Sequence, residues 1–146
     1  IQDIARPFKP YGRAAAVNIV ASPISTDWNL GRAIPKLQAR ITGLNYRVPV
    51  YGCGMLQLTL RTRVPTDSAE VNAAIRHGAI DRLCGVLDCT DDPIVSRDVL
   101  RCSQSCVVDL NLTGVHNERQ LRLAWWFDPN WSLAARTVEA IPAIGM

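Results

Sequence analysis

The chain has 146 residues, enough for one domain with a sizeable core and too few for two. Hydrophobic residues at 48% and charged residues at 20% exclude a disordered chain, and nine Gly with nine Pro exclude a collagen-like or linker-like one. The net charge of +3 is almost all arginine, dispersed from Arg6 to Arg136 among thirteen acids, so no nucleic-acid partner is expected. No apolar run approaches the roughly 18 residues of a spanning helix, so no membrane partner is expected either. The opening residues Ile1-Gln2-Asp3-Ile4-Ala5-Arg6 have no signal-peptide apolar run and no initiator Met. The expectation is a cytoplasmic protein, with the question open whether it is a piece of something longer.

Residues 1–11 read as an irregular lead-in, followed by a strand over 17–21. Thr26 or Asp27 can cap a first helix through Leu30, Ala33, Ile34 and Leu37, which Pro35 limits to a few turns. A strand over 41–48 follows. Over 55–64 the alternation is clear: Leu56, Leu58, Leu60, Thr62 and Val64 point to the core, and Gln57, Thr59, Arg61 and Arg63 point away. Asp67-Ser-Ala-Glu70 reads as a capping box for a second helix with Val71, Ala74, Ile75 and Ala79 on one face, weakened at its end by Gly78. Strands are predicted at 83–89, 94–95 and 105–112. Another places Leu121, Leu123, Trp125 and Phe127 against Gln120, Arg122 and Ala124. A third helix follows Pro129-Asn130 through Leu133, Ala134, Thr137, Val138 and Ile141 and stops near Pro142. The order predicts one α+β domain over 1–146. It would be a two-layer sandwich with a mixed, mostly antiparallel sheet and three helices on one face.

Arg61, Arg63 and Arg122 share the other sheet face with Gln57, Thr59, Gln120 and Trp126. That face is either a solvated surface or an oligomer interface, with Gln57, Arg61, Arg63 and Arg122 as the interface candidates. The cysteines are Cys53, Cys84, Cys89, Cys102 and Cys106. An odd count without a secretory signal favours reduced thiols, and their spacings do not match structural zinc sites. Packing as small hydrophobes is expected, and no metal site. His77 in the second helix and His116 in a turn are expected to be surface or structural residues. Asn111-Leu112-Thr113 matches a glycosylation sequon that has no meaning in a cytosolic protein.

Four collinear blocks then stand out. They are Gly12-Arg-Ala-Ala-Ala-Val-Asn-Ile19, Ile41-Thr-Gly-Leu-Asn-Tyr-Arg-Val-Pro-Val50, Gly85-Val-Leu-Asp-Cys-Thr-Asp-Asp-Pro-Ile-Val-Ser-Arg-Asp98, and Trp126-Phe-Asp128 followed by Arg136-Thr-Val138. Together they resemble the glyceraldehyde-3-phosphate dehydrogenase family, and specifically the latter part of its C-terminal catalytic domain. The resemblance implies that the family's NAD-binding Rossmann domain, catalytic cysteine and activating histidine would all lie upstream of Ile1. The five cysteines and both histidines fall on other positions. It implies that Arg47, in Tyr-Arg-Val-Pro, contacts a phosphate, with a salt bridge at a strand end as the structural alternative. Ser25 and Thr26 retain hydroxyls where the family has a threonine-glycine phosphate loop, and the family's second phosphate arginine is lost at Pro10 or Tyr11. The family's Trp-Tyr-Asp-Asn-Glu run is Trp126-Phe-Asp-Pro-Asn130 here. Pro129 lacks the amide that orients nicotinamide, and Asn130 would substitute only if the loop shifts.

No catalytic residue, cofactor or turnover is therefore expected of the chain alone. Three functions follow from this reading. One is a non-catalytic assembly module that pairs with its own copies or with an intact dehydrogenase subunit. Another is a fragment of an NAD-dependent phosphorylating dehydrogenase whose missing part supplies nucleophile and cofactor site. The third is a protein that binds a phosphate-type anion through Arg47, Ser25 and Thr26.

Overall fold

The computed structural model describes residues 12–14, 16–24 and 32–144. The chain divides into two compact units, Ile1–Tyr51 and Gly52–Met146, and each is taken by itself.

In the first unit, β1 (Val20–Pro23) and β2 (Leu44–Arg47) form an antiparallel ribbon, with Val20 opposite Arg47 and Pro23 opposite Leu44. Both strands begin three residues later than the sequence pattern indicates. Val20 and Ser22 of β1 are buried in alternation, whereas β2 is exposed throughout. Residues 25–31, where the first helix is expected to start, lie outside the described residues. Arg32 and Ala33 are helical as expected, but the helix does not continue to Leu37: Ile34 has φ −134° and ψ 85°, and Pro35–Leu37 is a single 3-10 turn. Pro35 forces this outcome, since proline has no N–H to donate and crowds the residue before it out of the α region.

The second unit is built on a sheet of β3 (Gly54–Arg61), β4 (Leu87–Thr90), β5 (Cys106–Asp109), β6 (Gly114–His116) and β7 (Gln120–Phe127). Spatially the order is β3-β7-β5-β4, and β6 also pairs with β7. β4 and β5 are parallel, and every other pair is antiparallel. One edge of β7 therefore takes all of β3, while its other edge is shared between β6, at residues 120–122, and β5, at 125–126. The α+β class with a mixed, mostly antiparallel sheet is as expected.

Two α-helices are complete among the described residues. α1 (Ser68–Ile80) is capped by Asp67, whose Oδ1 accepts the Glu70 N–H at 2.8 Å. The capping box is only half formed, because the Glu70 carboxylate accepts from Thr66 Oγ1 at 3.0 Å instead. α1 packs on β4, and a Cβ at Gly78 would meet Leu87 Cδ2 at 3.8 Å, an ordinary packing distance. α1 continues through Gly78 to Ile80 and includes Ala79 as expected, while Ala74 of its expected apolar face is exposed. α2 (Pro129–Ile144) also overruns its expected stop, carrying Pro142 inside its last turn, where one lost hydrogen bond is tolerated.

Several strand bounds also differ. Residues 81–86 form turns and β4 begins at Leu87, not at 83. No strand forms at 94–95. Val95 instead leads a 3-10 turn over Ser96–Val99, with its N–H donated to Asp98 Oδ2 at 2.8 Å. The strand expected over 105–112 ends at Asp109, gives a 3-10 turn at Leu110–Leu112, and resumes as β6. His116 is thus the last residue of a strand rather than part of a turn.

The core is Val99, Val107, Val108, Leu110, Leu121 and Ala124. The expected core face of β3 is largely outside it, with Leu56 39% and Leu60 40% exposed. Helix packing is concentrated at the β4 edge, and β3 lies at the opposite edge, so its alternation is intact while its burial is not.

Candidate functional site

The Trp126-Phe-Asp-Pro-Asn130 run sits where β7 passes directly into α2. Asp128 is 4% exposed and organises the junction. Its Oδ1 accepts the backbone N–H groups of Asn130 and Trp131, both at 2.9 Å, and its Oδ2 accepts that of Arg101, also at 2.9 Å. Ser132 Oγ donates to the Asp128 carbonyl at 2.6 Å. Three N–H donors hold the Asp128 carboxyl below the usual carboxylate range, led by those of Trp131 and Arg101, against the opposing effect of burial. The Arg101 bond also pins a residue at φ 66°, a left-handed conformation that non-glycine residues adopt at a cost. Asp before Pro at the first helical position is a helix-start signal, and it identifies Asp128 as a clamp.

The same geometry fixes Asn130. Its N–H is engaged by Asp128 within the first turn of α2, so the loop shift that would bring its amide to position 129 is not present. Pro129 offers neither amide nor N–H. The residues here do not fit the nicotinamide contact that the family resemblance implies, and no hydride step is derived through them.

On β3 and β7, register places Gln57 opposite Ala124, Thr59 opposite Arg122, and Arg61 opposite Gln120. These residues share one face, as expected, and Arg63 lies just past the end of β3. β6 extends the face, with Gly114 opposite Arg122 and His116 opposite Gln120. The sequence pattern did not reveal this third strand, because three residues are too short to show a period. The signal that was available is Asn117-Glu118, a turn with φ 47° and 57° that suits a tight hairpin. Toward the other end of this face, Trp126 Nε1 donates to Asp109 Oδ2 at 3.3 Å.

Three of the thiols are held above the ordinary cysteine value. Burial pushes Cys106 up to about 12, with proximity to Cys89 adding to it. Burial also raises Cys53 and Cys89, in part offset by Arg97 and Arg76 respectively. Cys84 is exposed, contrary to the expectation that it packs in the core. His77 and His116 are both exposed, and neither bonds a cysteine among the described residues. Among those residues, no three His, Cys, Asp or Glu side chains gather as a metal site.

Arg47 is the exposed last residue of β2, and no salt bridge engages it among the described residues. Ser25 and Thr26 lie outside the described residues. Among the described residues no helix is long and apolar enough to cross a membrane.

Comparison with known proteins agrees with the motif blocks. The family described as glyceraldehyde 3-phosphate dehydrogenase, C-terminal domain, matches residues 2–129. A cytosolic glyceraldehyde-3-phosphate dehydrogenase of Dianthus caryophyllus is 32% identical over 133 residues, covering 91% of this chain and 39% of that protein. That of Antirrhinum majus is 31% identical over 130 residues, 89% of this chain and 39% of that protein. Glyceraldehyde-3-phosphate dehydrogenase B of Aspergillus oryzae is 33% identical over 128 residues, 88% of this chain and 38% of that protein. The chain spans about two fifths of the length of these relatives. By its four motif blocks, its fold class and these matches, the chain belongs to the glyceraldehyde-3-phosphate dehydrogenase C-terminal domain family.

Proposed function

We propose that this chain is an assembly part of a glyceraldehyde-3-phosphate dehydrogenase-type protein and performs no turnover by itself. The observation that carries this reading is β3, an eight-residue strand at the sheet edge with no buried residue. It presents Leu56 and Leu60, exposed by 39% and 40%, on one face, and Met55, exposed by 46%, on the other face with Gln57 and Arg61. A free strand edge with exposed apolar side chains is a template for pairing with another chain. Its partner is a second copy or an intact dehydrogenase subunit. The raised thiols and Pro129 support the absence of turnover, since aldehyde oxidation of this type needs a thiolate and an oriented cofactor. The cytosolic names of its relatives support a cytoplasmic location.

The test pairs an NAD-reduction assay, with glyceraldehyde 3-phosphate and phosphate, with native mass by light scattering. No turnover and a mass above one chain are expected. Turnover by the isolated chain, or one chain's mass at high concentration with and without an intact dehydrogenase, would sink the reading.

A second reading is favoured by the coverage: the chain spans about two fifths of its relatives, as a segment of a working NAD-dependent phosphorylating dehydrogenase would. The neighbouring coding sequence separates the two. A Gly-rich Rossmann fingerprint followed by a Cys-containing segment in the same frame establishes the segment reading, and a stop codon just ahead of Ile1 removes it.

A further inference from the structure

We propose that Cys89 and Cys106 form a two-thiolate site for one soft monovalent metal ion of the Cu(I) type, on the face of the sheet that α1 covers. β4 and β5 are parallel with Leu87 opposite Cys106, so Cys89, two residues further along β4, points to the same face as Cys106. Leu87 marks that face as the one under α1, since a Cβ at Gly78 would meet its side chain. It is also the face of Val108 and Trp125, opposite the one that carries Gln57, Arg61 and Arg122.

Both residues are half-buried, and charge on Cys89 acts on the Cys106 thiol across the two strands. A strand spacing of about 4.8 Å and an offset of two residues put the Cα atoms about 8 Å apart, beyond the reach of a disulfide. A metal–thiolate bond of about 2.3 Å on each side spans a gap that a direct S–S bond of about 2 Å does not. Asp88 alternates to the opposite face, and among the described residues no third His, Cys, Asp or Glu joins the pair.

The number of ligands selects the ion. Zinc takes four protein ligands in a structural site and three in a catalytic one, whereas soft thiolates favour Cu(I), which is stable with two. A monovalent ion between two thiolates leaves one net negative charge. Burial raises the Cys89 thiol, and Arg76 of α1 opposes that while it holds an ion pair with Asp91, so a guanidinium stands ready to offset part of the charge. Binding is an exchange of protons for metal: both S–H bonds break, two protons pass to solvent, two metal–sulfur bonds form, and copper stays Cu(I). The site lies within one chain and does not rest on the assembly reading.

Anaerobic titration of the reduced whole chain with Cu(I), in competition with a chromogenic Cu(I) chelator, tests the site. One copper per chain is expected to resist the chelator, and X-ray absorption at the copper edge is expected to show two neighbours, both sulfur. Cys89→Ser and Cys106→Ser are each expected to lose about tenfold or more in affinity, and Arg76→Gln about two- to threefold. Cys84→Ser, at an exposed turn, is expected to change affinity by less than about twofold. If Cys106→Ser misfolds by circular dichroism, Cys89→Ser decides. No copper held by the wild type, a nitrogen, oxygen or third sulfur neighbour at the metal, or unchanged affinity in a folded Cys89→Ser would overturn the proposal. So would one copper per two chains, since the thiols would then belong to different chains.

Discussion

The two edges of the second unit's sheet carry similar sequence and meet different fates. At one edge, α1 lies on β4 and the neighbouring β5 is largely buried, with Val108 among the core residues. At the other, β3 has a clean two-residue alternation and no buried residue. Alternation fixes which way a side chain faces, and burial requires another layer on that face. The difference between the edges is therefore a difference in what covers them.

Paired truncations break this comparison most directly. Leu110→Ala, at a 4% exposed position, should cost about 2–5 kcal/mol in chemical denaturation, whereas Leu60→Ala should cost about 1 kcal/mol or less in the unassociated chain. Equal losses would mean that β3 is as well packed as the core.

The junction between β7 and α2 should be nearly as sensitive. Asp128→Ala removes three charge-assisted bonds and is expected to cost about 2–3 kcal/mol. The sign with pH follows from the depressed carboxyl. Its stabilisation is present above the ordinary aspartate value and is lost as pH falls through the lower folded value. Asp128→Asn should therefore flatten the acid limb of the stability profile, and an unchanged limb would contradict the clamp.

Gly54 and Phe127 sharpen the comparison at the β3–β7 seam. A Cβ at Gly54 would lie 2.6 Å from Phe127 Cζ, so Gly54→Ala should destabilise by about 1–3 kcal/mol through displacement of the ring. Thermal denaturation with no change would mean that the ring has room to move.

Thiol accessibility gives a smaller signal. Cys84 should label first with an aromatic disulfide reagent and Cys106 last, since Cys84 is exposed and Cys106 is half-buried with its thiol raised. The raised Cys106 thiol stabilises the fold fully below its unfolded value of 9.0, and this is lost as pH rises toward about 12. Cys106→Val should then flatten the alkaline limb. The smallest effect is expected at Arg47: Arg47→Ala should leave stability within about 0.5 kcal/mol. It should also remove any rise in melting temperature produced by millimolar phosphate, and a rise that persists would clear Arg47 of the role.

Much of the fold was legible because it is local. β7 and the faces of β3 follow from period two, and α1 follows from Asp67 and its apolar face. The errors have physical causes in longer-range bonds. β3 ends at Arg61 because Thr62 turns to bond the carbonyls of Val64 and Arg119, at 2.7 and 3.3 Å. Residue 95 leaves the sheet because Asp98 caps its N–H. Glu70 abandons the capping box for Thr66. The outer-face arginines were visible in the sequence. The place of His116 beside them was not, because it depends on β6 pairing with β7. Asp128 was legible as a family residue, and its clamp on Arg101, 27 positions away, was visible only in three dimensions.

Sedimentation equilibrium of the whole chain beside Leu56→Glu/Leu60→Glu tests the role of β3 most directly. The wild type should show a mass that rises above one chain with concentration, and the charged variant should stay at one chain while keeping its far-ultraviolet circular dichroism. A wild type that remains one chain at every concentration, or a folded variant that associates equally well, would contradict the proposal that the open edge is where this chain meets its partner.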